Sequence, residues 1–523
     1  MLAGFCAFLF FYGLANFGLI GADEPRYAQI AREMLVRHDW VTPVLGGQPW
    51  LEKPPLYYWQ TMVAYSVFGV SDWAARLPSA LDAALMVLAI WLFCGRYLPS
   101  LESDGALMTA SAAGMIGFAR AASPDMPLAA TFTIAMLAWY VWYESGTKWT
   151  LAVSYVGLGL ATLAKGPVAP FLAAVVIVIY AAVKNDYTLL WRTLWVPGGL
   201  LYLLVTLPWF VEVEMRNPRF FHIFILEHNF ARFSTNLYHH IQPFWYFIPV
   251  TLLALVPWTV LACASLGQTV RTWWSQRESL AGSEPALNTF LGIWLLVPII
   301  FFSVSRSKLP GYILPAVPAG ALLAAAYVRQ FMSNDERPPL TVIILHSITA
   351  AVPVAPALMI QYLVLQHRIP WGKASAISCA LAAVLAIALV LTLHSRVGIG
   401  GLRFTLVPVA LSVAAVLRLG SPALDSTLSA RPVAGEIRQI EKDRLPLAIF
   451  GVPRELEFGL MFYMDQKIEQ YGVDQIPSGE HLLVAAGGSQ VEIAKRVPGR
   501  RVSYLASYAS QGLDFYWVAP SRH

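Results

Sequence analysis

Long apolar segments recur along the chain, separated by shorter polar stretches. In windows of about 19 residues, the first seven lie near 1–20, 77–97, 105–119, 126–143, 149–164, 167–183 and 189–211. Six more lie near 244–265, 287–304, 312–328, 341–363, 374–394 and 402–418. Because a straight transmembrane helix needs about 20 apolar residues, the pattern predicts a polytopic α-helical membrane protein with about 13 transmembrane helices.

The first long loop, residues 21–76, has a helical pattern of its own. Apolar residues recur at Ile30, Ala31 and Met34, which places them on one face of a helix. A more aromatic segment of the same kind covers residues 56–68. We expect two amphipathic juxtamembrane helices in this loop, lying in the membrane interface on the outer side.

The pattern changes after about residue 425, where short strands and amphipathic helices replace the long apolar segments. Strands are predicted at 447–452, 481–486, 502–506 and 514–518, and helices at 455–464 and 490–496. The sequence therefore predicts two domains, a transmembrane domain over 1–424 and a small soluble α/β domain over 425–523.

Composition agrees with a membrane protein. Hydrophobic residues make up 57% of the 523 residues, charged residues only 13%, and the mean hydropathy is +0.57. An average soluble domain is about one quarter charged. The formal net charge of +5 is small for this length, so we expect a lipid bilayer around the chain and no nucleic-acid partner.

An acidic motif follows the first apolar segment directly, with Asp23 and Glu24 just before Pro25. Ionisable groups at a membrane edge are costly and usually have a function. The same residues also suit a helix start, because an acid before proline is an ordinary N-cap. One of the two acids can cap a helix while the other carries chemistry.

Basic residues lie at the ends of several apolar segments. Lys53 precedes two prolines that fix the backbone, which suits a contact with a phosphate oxygen, but it can also pair with Glu52 on a loop surface. Lys165 can bind phosphate or simply extend to the interface. Arg120 and Asp125 can form a pair with each other.

The run Ser303–Tyr312 places serines, two cations and a tyrosine between two apolar segments. Cations and hydroxyls at a membrane edge are the groups that bind phosphate. We interpret this run as an anion site for a lipid phosphate.

Taken together, these motifs resemble the GT-C membrane glycosyltransferases, specifically the lipid A 4-amino-4-deoxy-L-arabinose transferases and their relatives in the protein O-mannosyltransferase superfamily. The likeness covers about residues 1–330. Its motifs are Asp23-Glu-x-Arg26-Tyr27, Glu52-Lys53-Pro-Pro, Ala119-Arg-x4-Asp125, Ala164-Lys-Gly-Pro167, Glu227-His-Asn-x2-Arg232-Phe and Ser307-Lys-Leu-Pro-x-Tyr312.

The resemblance implies an inverting enzyme that moves a sugar, with aminoarabinose as the first candidate, from undecaprenyl phosphate to lipid A phosphate. It also implies a multi-pass monomer in the bacterial inner membrane, with residues 1–424 as the catalytic domain and with the active site and residues 425–523 in the periplasm. By the resemblance, Asp23 is the catalytic carboxylate. The substrate-binding residues implied are Arg26, Tyr27, Lys53, Asp125, Lys165, Lys308 and Tyr312.

A metal is an open question at this stage. No histidine pair in the loop 212–243 has the HExxH spacing of a catalytic zinc site. The resemblance nevertheless implies that Glu52 and His240, or His239 in its place, can hold zinc. No cofactor is required for the reaction, and no nucleotide is needed.

Two alternatives stay open. A related GT-C transferase would pass another polyprenyl-phosphate-linked sugar to a glycan or a protein. A lipid or sugar transporter would also have many spans and buried charges, but transporters tend to have internal repeats and mid-helix charges, whereas here no repeat is visible and the charges lie at the ends of spans.

Overall fold

The structure, a computed structural model, describes residues 1–224, 242–275, 283–333, 338–352, 402–440 and 444–520. The helices of its first half are α1 Leu2–Cys6, α2 Asp23–Val36, α3 Leu56–Phe68, α4 Asp72–Tyr97, α5 Glu102–Ser111, α6 Ala113–Ala119, α7 Asp125–Ser145, α8 Lys148–Lys165, α9 Val168–Lys184, α10 Thr188–Thr193 and α11 Val196–Arg216. Those of the second half are α12 Phe247–Ala254, α13 Thr259–Ser275, α14 Ser283–Val304, α15 Val317–Ser333, α16 Leu340–Ala351, α17 Leu406–Ala415, α18 Ser421–Leu428, α19 Arg431–Ile440, α20 Arg454–Met464 and α21 Gln490–Arg496. The strands are β1 Val44–Leu45, β2 Gln48–Pro49, β3 Leu447–Phe450, β4 Ile468–Gln470, β5 His481–Ala486, β6 Arg500–Tyr508 and β7 Leu513–Pro520.

Several helices are long and apolar enough to cross a membrane. Among the described residues, five qualify alone: Asp72–Tyr97, Asp125–Ser145, Val196–Arg216, Ala286–Val304 and Pro310–Met332. Two bent helix pairs raise the number to seven if each pair is one span. The polytopic membrane fold is therefore present, whereas the predicted count of 13 is unconfirmed.

Individual predicted spans explain part of that difference. The segment predicted at 105–119 is broken into α5 and α6, because Ala112 between them has extended backbone angles (φ −64°, ψ 134°). The segment predicted at 374–394 lies outside the described residues. Two helices are present where they were expected in the first loop, as α2 and α3, and their position in the membrane interface stays a prediction.

The chain packs as two units. The first unit consists of Met1–Tyr12, Leu51–Tyr57 and Leu77–Val416. Its helices α7 and α8 approach closely at Gly157, where a Cβ atom would lie 3.0 Å from the Cβ of Ala135. Small residues allow membrane helices to pack backbone against backbone, and Gly157 permits this close approach.

The second unit consists of Gly13–Trp50, Tyr58–Arg76 and Leu417–His523. Its sheet has the strand order β4-β3-β5-β7-β6, in which β4, β3 and β5 are parallel and β7 is antiparallel to both of its neighbours, β5 and β6. Helix α2 packs against α20 in this unit. The unit thus joins the acidic motif to the C-terminal α/β segment, while the predicted boundary between residues 424 and 425 stays a prediction.

Candidate functional site

The acidic motif forms the first turn of α2 in the second unit. Asp23 is the first helical residue, and its side chain is 57% exposed. Arg26, one turn later, donates a hydrogen bond to the Asp23 carboxylate at 2.5 Å, and its own side chain is only 10% exposed. The carboxylate is therefore accessible to a substrate while its orientation is set by a buried cation.

Three aromatic rings surround the guanidinium of Arg26. Its central carbon lies 5.0 Å from the ring centre of Tyr27, 5.5 Å from that of Trp50 and 5.7 Å from that of Phe458. Cations are attracted to aromatic faces at such distances. We call Tyr27, Trp50 and Phe458 the aromatic cage.

Glu24, one of the two acids that could cap a helix, pairs with a buried arginine. Its carboxylate accepts two hydrogen bonds from Arg76, at 3.0 and 2.7 Å, and one from the backbone N–H of Ile20 at 2.9 Å. Arg76 is 1% exposed and also donates to the backbone carbonyls of Leu14 and Gly18. Glu24 therefore ties the start of α2 to Arg76 and to the chain segment before the helix.

In the first unit, Asp125 and Lys165 meet because antiparallel helices place the start of α7 beside the end of α8. Both side chains are largely buried and form a short ion pair. Ser123 donates a hydrogen bond to Asp125 at 3.2 Å, and the Lys165 ammonium lies 4.9 Å from the ring centre of Tyr312. Three residues predicted separately along the sequence thus form one cluster.

Gly311 allows this cluster to be compact. A Cβ atom at this position would lie 2.6 Å from an oxygen of Asp125. Any side chain there would push the carboxylate away from Lys165. The glycine before Tyr312 is therefore required by close approach rather than by backbone angles.

Lys308 lies in the turn after α14 and is 6% exposed. Its ammonium donates a hydrogen bond to the Ser305 carbonyl, and burial lowers the pKa of this lysine below its ordinary value. It lines a cavity of about 650 Å³. The other lining residues are Gln242, Phe244, Trp245, Ile248, Ile299, Ile300, Ser303, Val304, Ser305 and Arg306.

Glu52 and Lys53 are partly buried residues of the first unit, followed by the buried Pro54 and Pro55. His239 and His240, the predicted histidine ligands, lie outside the described residues. Within the described parts of the chain, no group of three histidine, cysteine or acidic side chains is placed to hold a metal. A zinc ion at Glu52 stays a prediction.

Arg306 is one of the two cations of the predicted anion site, whereas other residues of these clusters were missed from the sequence. Ser123, two residues before Asp125, is one of them. Trp50 and Phe458 carried no local signal, because only tertiary packing brings them to Arg26.

Comparison with known families gives a match to residues 52–211, which fit the model of the dolichyl-phosphate-mannose-protein mannosyltransferase family. The undecaprenyl phosphate-alpha-4-amino-4-deoxy-L-arabinose arabinosyl transferase of Pseudomonas paraeruginosa is 33% identical over 343 residues, which are 63% of this chain and 60% of that protein. The protein of the same name from Serratia proteamaculans is 33% identical over 338 residues, 62% of this chain and 58% of that protein. The chain thus aligns with about 60% of the length of these relatives.

Solved structures match over more of the chain. ArnT from Cupriavidus metallidurans bound to undecaprenyl phosphate has a TM-score of 0.78 at 23% identity, covering 99% of this chain and 97% of that one. The archaeal oligosaccharyltransferase AglB from Archaeoglobus fulgidus has a TM-score of 0.52 at 11% identity, covering 100% of this chain and 73% of that one. The chain therefore has the GT-C membrane fold and resembles the lipid A aminoarabinose transferases, as its motifs predicted.

Proposed function

We propose that this chain is an inverting glycosyltransferase that moves a sugar from undecaprenyl phosphate to an envelope acceptor. The leading pair is 4-amino-4-deoxy-L-arabinose as the sugar and lipid A phosphate as the acceptor. The names of the relatives at 33% identity support the donor. Another polyprenyl-phosphate-linked sugar, passed to a glycan or a protein, is the second pairing.

The observation that carries the proposal is the cavity beside Lys308. Its lining includes apolar residues, Phe244, Trp245 and Ile300 among them, together with the cations Arg306 and Lys308. A polyprenyl phosphate needs both kinds of residue, because its isoprenoid tail binds apolar side chains and its headgroup binds cationic donors.

Charge accounts for the catalytic contribution of the basic residues. When the sugar leaves, the carrier changes from a phosphate diester to a monoester and gains negative charge. Cations that bind the developing charge more strongly than the starting diester lower the barrier. We assign this role to Lys308, Lys165 and Lys53, with Asp125 and Tyr312 fixing the Lys165 ammonium.

Asp23 is the group we assign to the acceptor side, together with Arg26 and Tyr27. A hydroxyl acceptor must lose a proton during attack, which requires a general base. A phosphate acceptor is already ionised, and the carboxylate then orients it or stabilises an oxocarbenium-like sugar. The exposed position of Asp23 and its hydrogen bond from Arg26 support either role.

The cellular location is proposed from the relatives and from the apolar helices. The relatives are bacterial proteins and the chain has several membrane-length apolar helices, so we place a monomer in the inner membrane with its site on the periplasmic side. Glu52 with His240, or His239, is the proposed zinc position. No step of the reaction is assigned to that metal.

The first prediction concerns Asp23. We expect Asp23→Asn to lower kcat for sugar transfer by about 100-fold or more, because a positioned carboxylate contributes at least that factor, while donor binding changes little. The measurement is conversion of undecaprenyl-phosphate-linked aminoarabinose by purified protein in liposomes that contain lipid A.

A matched control is Glu455→Gln, which neutralises an exposed acid in the first turn of α20 in the same unit. It should leave the transfer rate unchanged. Full turnover by the Asp23→Asn protein would contradict the proposed role. Movement of intact donor across the bilayer without transfer would favour a transporter.

A further inference from the structure

The aromatic cage links the acidic motif to the C-terminal segment of the chain. Tyr27 is next to Arg26 in sequence, and Trp50 belongs to the same loop region. Phe458 comes from α20, at the other end of the chain. All four residues lie in the second unit, so one side of the cage exists only when α20 is packed against α2.

Phe458 and Trp50 also contact each other. Their rings meet edge to face at 6.5 Å and 78°, an arrangement that aromatic pairs favour. Trp50 directly follows the small hairpin of β1 and β2. In the turn of this hairpin, the backbone N–H groups of Gly46 and Gly47 donate hydrogen bonds to Glu33 of α2. The hairpin is thus tied to the same helix that carries Arg26.

Helix α20 is tied to α2 at a second place. Arg32 forms an ion pair with Asp465 at 2.7 Å and donates a hydrogen bond to the carbonyl of Phe462 at 3.0 Å. The hydrogen bond from Arg32 to Phe462 therefore lies one helical turn after Phe458 on α20. Two contacts along its length fix the rotation of α20 and, with it, the direction of the Phe458 ring.

The segment before α2 is held by the same helix. The Tyr463 hydroxyl accepts a hydrogen bond from the backbone N–H of Leu19 at 2.6 Å and donates one to Asp72 at 2.6 Å. Arg431, the first residue of α19, donates to the carbonyl of Ala15 at 3.0 Å and pairs with Asp72. The C-terminal segment thus contacts the chain both before α2 and within it.

We propose that Phe458 is a positioning residue for the transfer reaction, acting through Arg26 on the Asp23 carboxylate. This inference rests on the proposed function. The ring faces of the aromatic cage hold the buried Arg26 side chain in the rotamer whose guanidinium reaches Asp23. Without the ring of Phe458, Arg26 gains freedom and the exposed carboxylate loses its fixed orientation.

A misoriented catalytic group lowers the rate of the chemical step more than it lowers binding of the donor. The C-terminal α/β segment is on this account part of the catalytic apparatus. It contributes one aromatic face to the cage.

The test compares Phe458→Leu, which keeps an apolar side chain but removes the ring, with Phe458→Tyr, which restores it. Full-length protein in liposomes is assayed for kcat and for the KM of undecaprenyl-phosphate-linked aminoarabinose. Phe458→Leu should lower kcat by about 5- to 30-fold, the effect of a partly buried cation–π contact on a barrier, with KM within about twofold. Phe458→Tyr should return kcat close to the wild-type value.

Leu460→Ala is the control for packing. Leu460 is fully buried on the same helix, so its truncation removes more apolar contact than Phe458→Leu without taking a ring from Arg26. It should lower the thermal midpoint but leave kcat of the monodisperse fraction unchanged. An equal loss of kcat in Leu460→Ala and Phe458→Leu, or no loss in Phe458→Leu, would overturn the inference.

The same assay separates this inference from the proposed function. Wild-type transfer with an inactive Asp23→Asn variant supports the function, and normal kcat in Phe458→Leu then overturns only the positioning role. Absence of any transfer by the wild-type protein would overturn both.

Discussion

The neighbouring acids Asp23 and Glu24 each pair with an arginine, but the two acids differ in burial. Glu24 pairs with Arg76, which is 1% exposed and also donates hydrogen bonds to backbone carbonyls. Asp23 faces outward, and its partner Arg26 is the buried member. A buried, fully bonded pair holds a loop in place, whereas an exposed carboxylate on a fixed arginine can meet a substrate. The division of roles between the two acids follows from burial, which is not visible in the motif itself.

Lys308 supports a prediction about pH. Burial lowers the pKa of its ammonium below the ordinary value of 10.5, because the charged form loses hydration. The lysine is charged below that lowered pKa and becomes neutral as the pH rises through it. We expect the KM for the donor to rise on the alkaline side by about tenfold, the worth of one charge-assisted phosphate contact.

Lys308→Arg distinguishes this residue from other alkaline effects. Arginine stays protonated throughout the accessible range, so the alkaline rise in KM should disappear in that variant. Lys495→Arg, on an exposed lysine of α21, should keep the wild-type profile. An alkaline limb that is identical in wild type and Lys308→Arg would rule out Lys308 as the titrating group.

At the scale of elements, strong periodic patterns were the predictable part. Strands β3 and β5 lie within or at the predicted 447–452 and 481–486, and β6 and β7 include the predicted hairpin segments. Strand β4 has three residues and β1 and β2 have two each, too few for alternation to be seen. These elements are set by their neighbours, not by their own sequence.

The candidate site also has residues that the sequence could predict and residues that it could not. Charged residues at the ends of apolar segments were predictable, because such charges are costly without a function. Their partners across the fold were not: nothing local to Phe458 or Arg76 indicates that the side chain will meet Arg26 or Glu24. Motif spacing predicts which groups carry charge, and only packing determines which of them are accessible.

The buried His481 in the sheet should make the stability of this segment depend on pH. His481 in β5 is fully buried; its Nδ1 bonds the Gly479 carbonyl at 2.9 Å and its Nε2 the Tyr471 hydroxyl. Burial lowers the pKa of this histidine below 6.5. In the unfolded segment the ring protonates near pH 6.5, so stability is full above that pH and falls as the pH drops toward the lower folded pKa.

We therefore expect hydrogen exchange of the β5 amides, corrected for intrinsic rates, to accelerate as the pH falls below about 6.5. His481→Gln removes the titration and should flatten this dependence, even though it costs some stability at neutral pH. Exchange that accelerates equally in the variant would show that another group is responsible.

At the scale of the whole molecule, separate observations agree on one kind of chemistry. The chain has membrane-length helices, a cavity lined by apolar residues and two cations, and an exposed carboxylate fixed by a buried arginine. Its fold matches that of ArnT over nearly the full length of both chains. A lipid-linked phosphate sugar is a substrate that binds apolar residues and cations together, which is why we propose transfer from a polyprenyl carrier.

The proposed function is best tested by mass spectrometry of lipid A from bacterial cells that lack aminoarabinose transfer but make the donor. Cells that express the wild-type chain should gain lipid A with aminoarabinose on its phosphates, and cells that express equal amounts of the Asp23→Asn chain should not. Lipid A that stays unmodified with the wild-type chain would contradict the proposed donor and acceptor pair. Equal modification with both chains would contradict the role of Asp23.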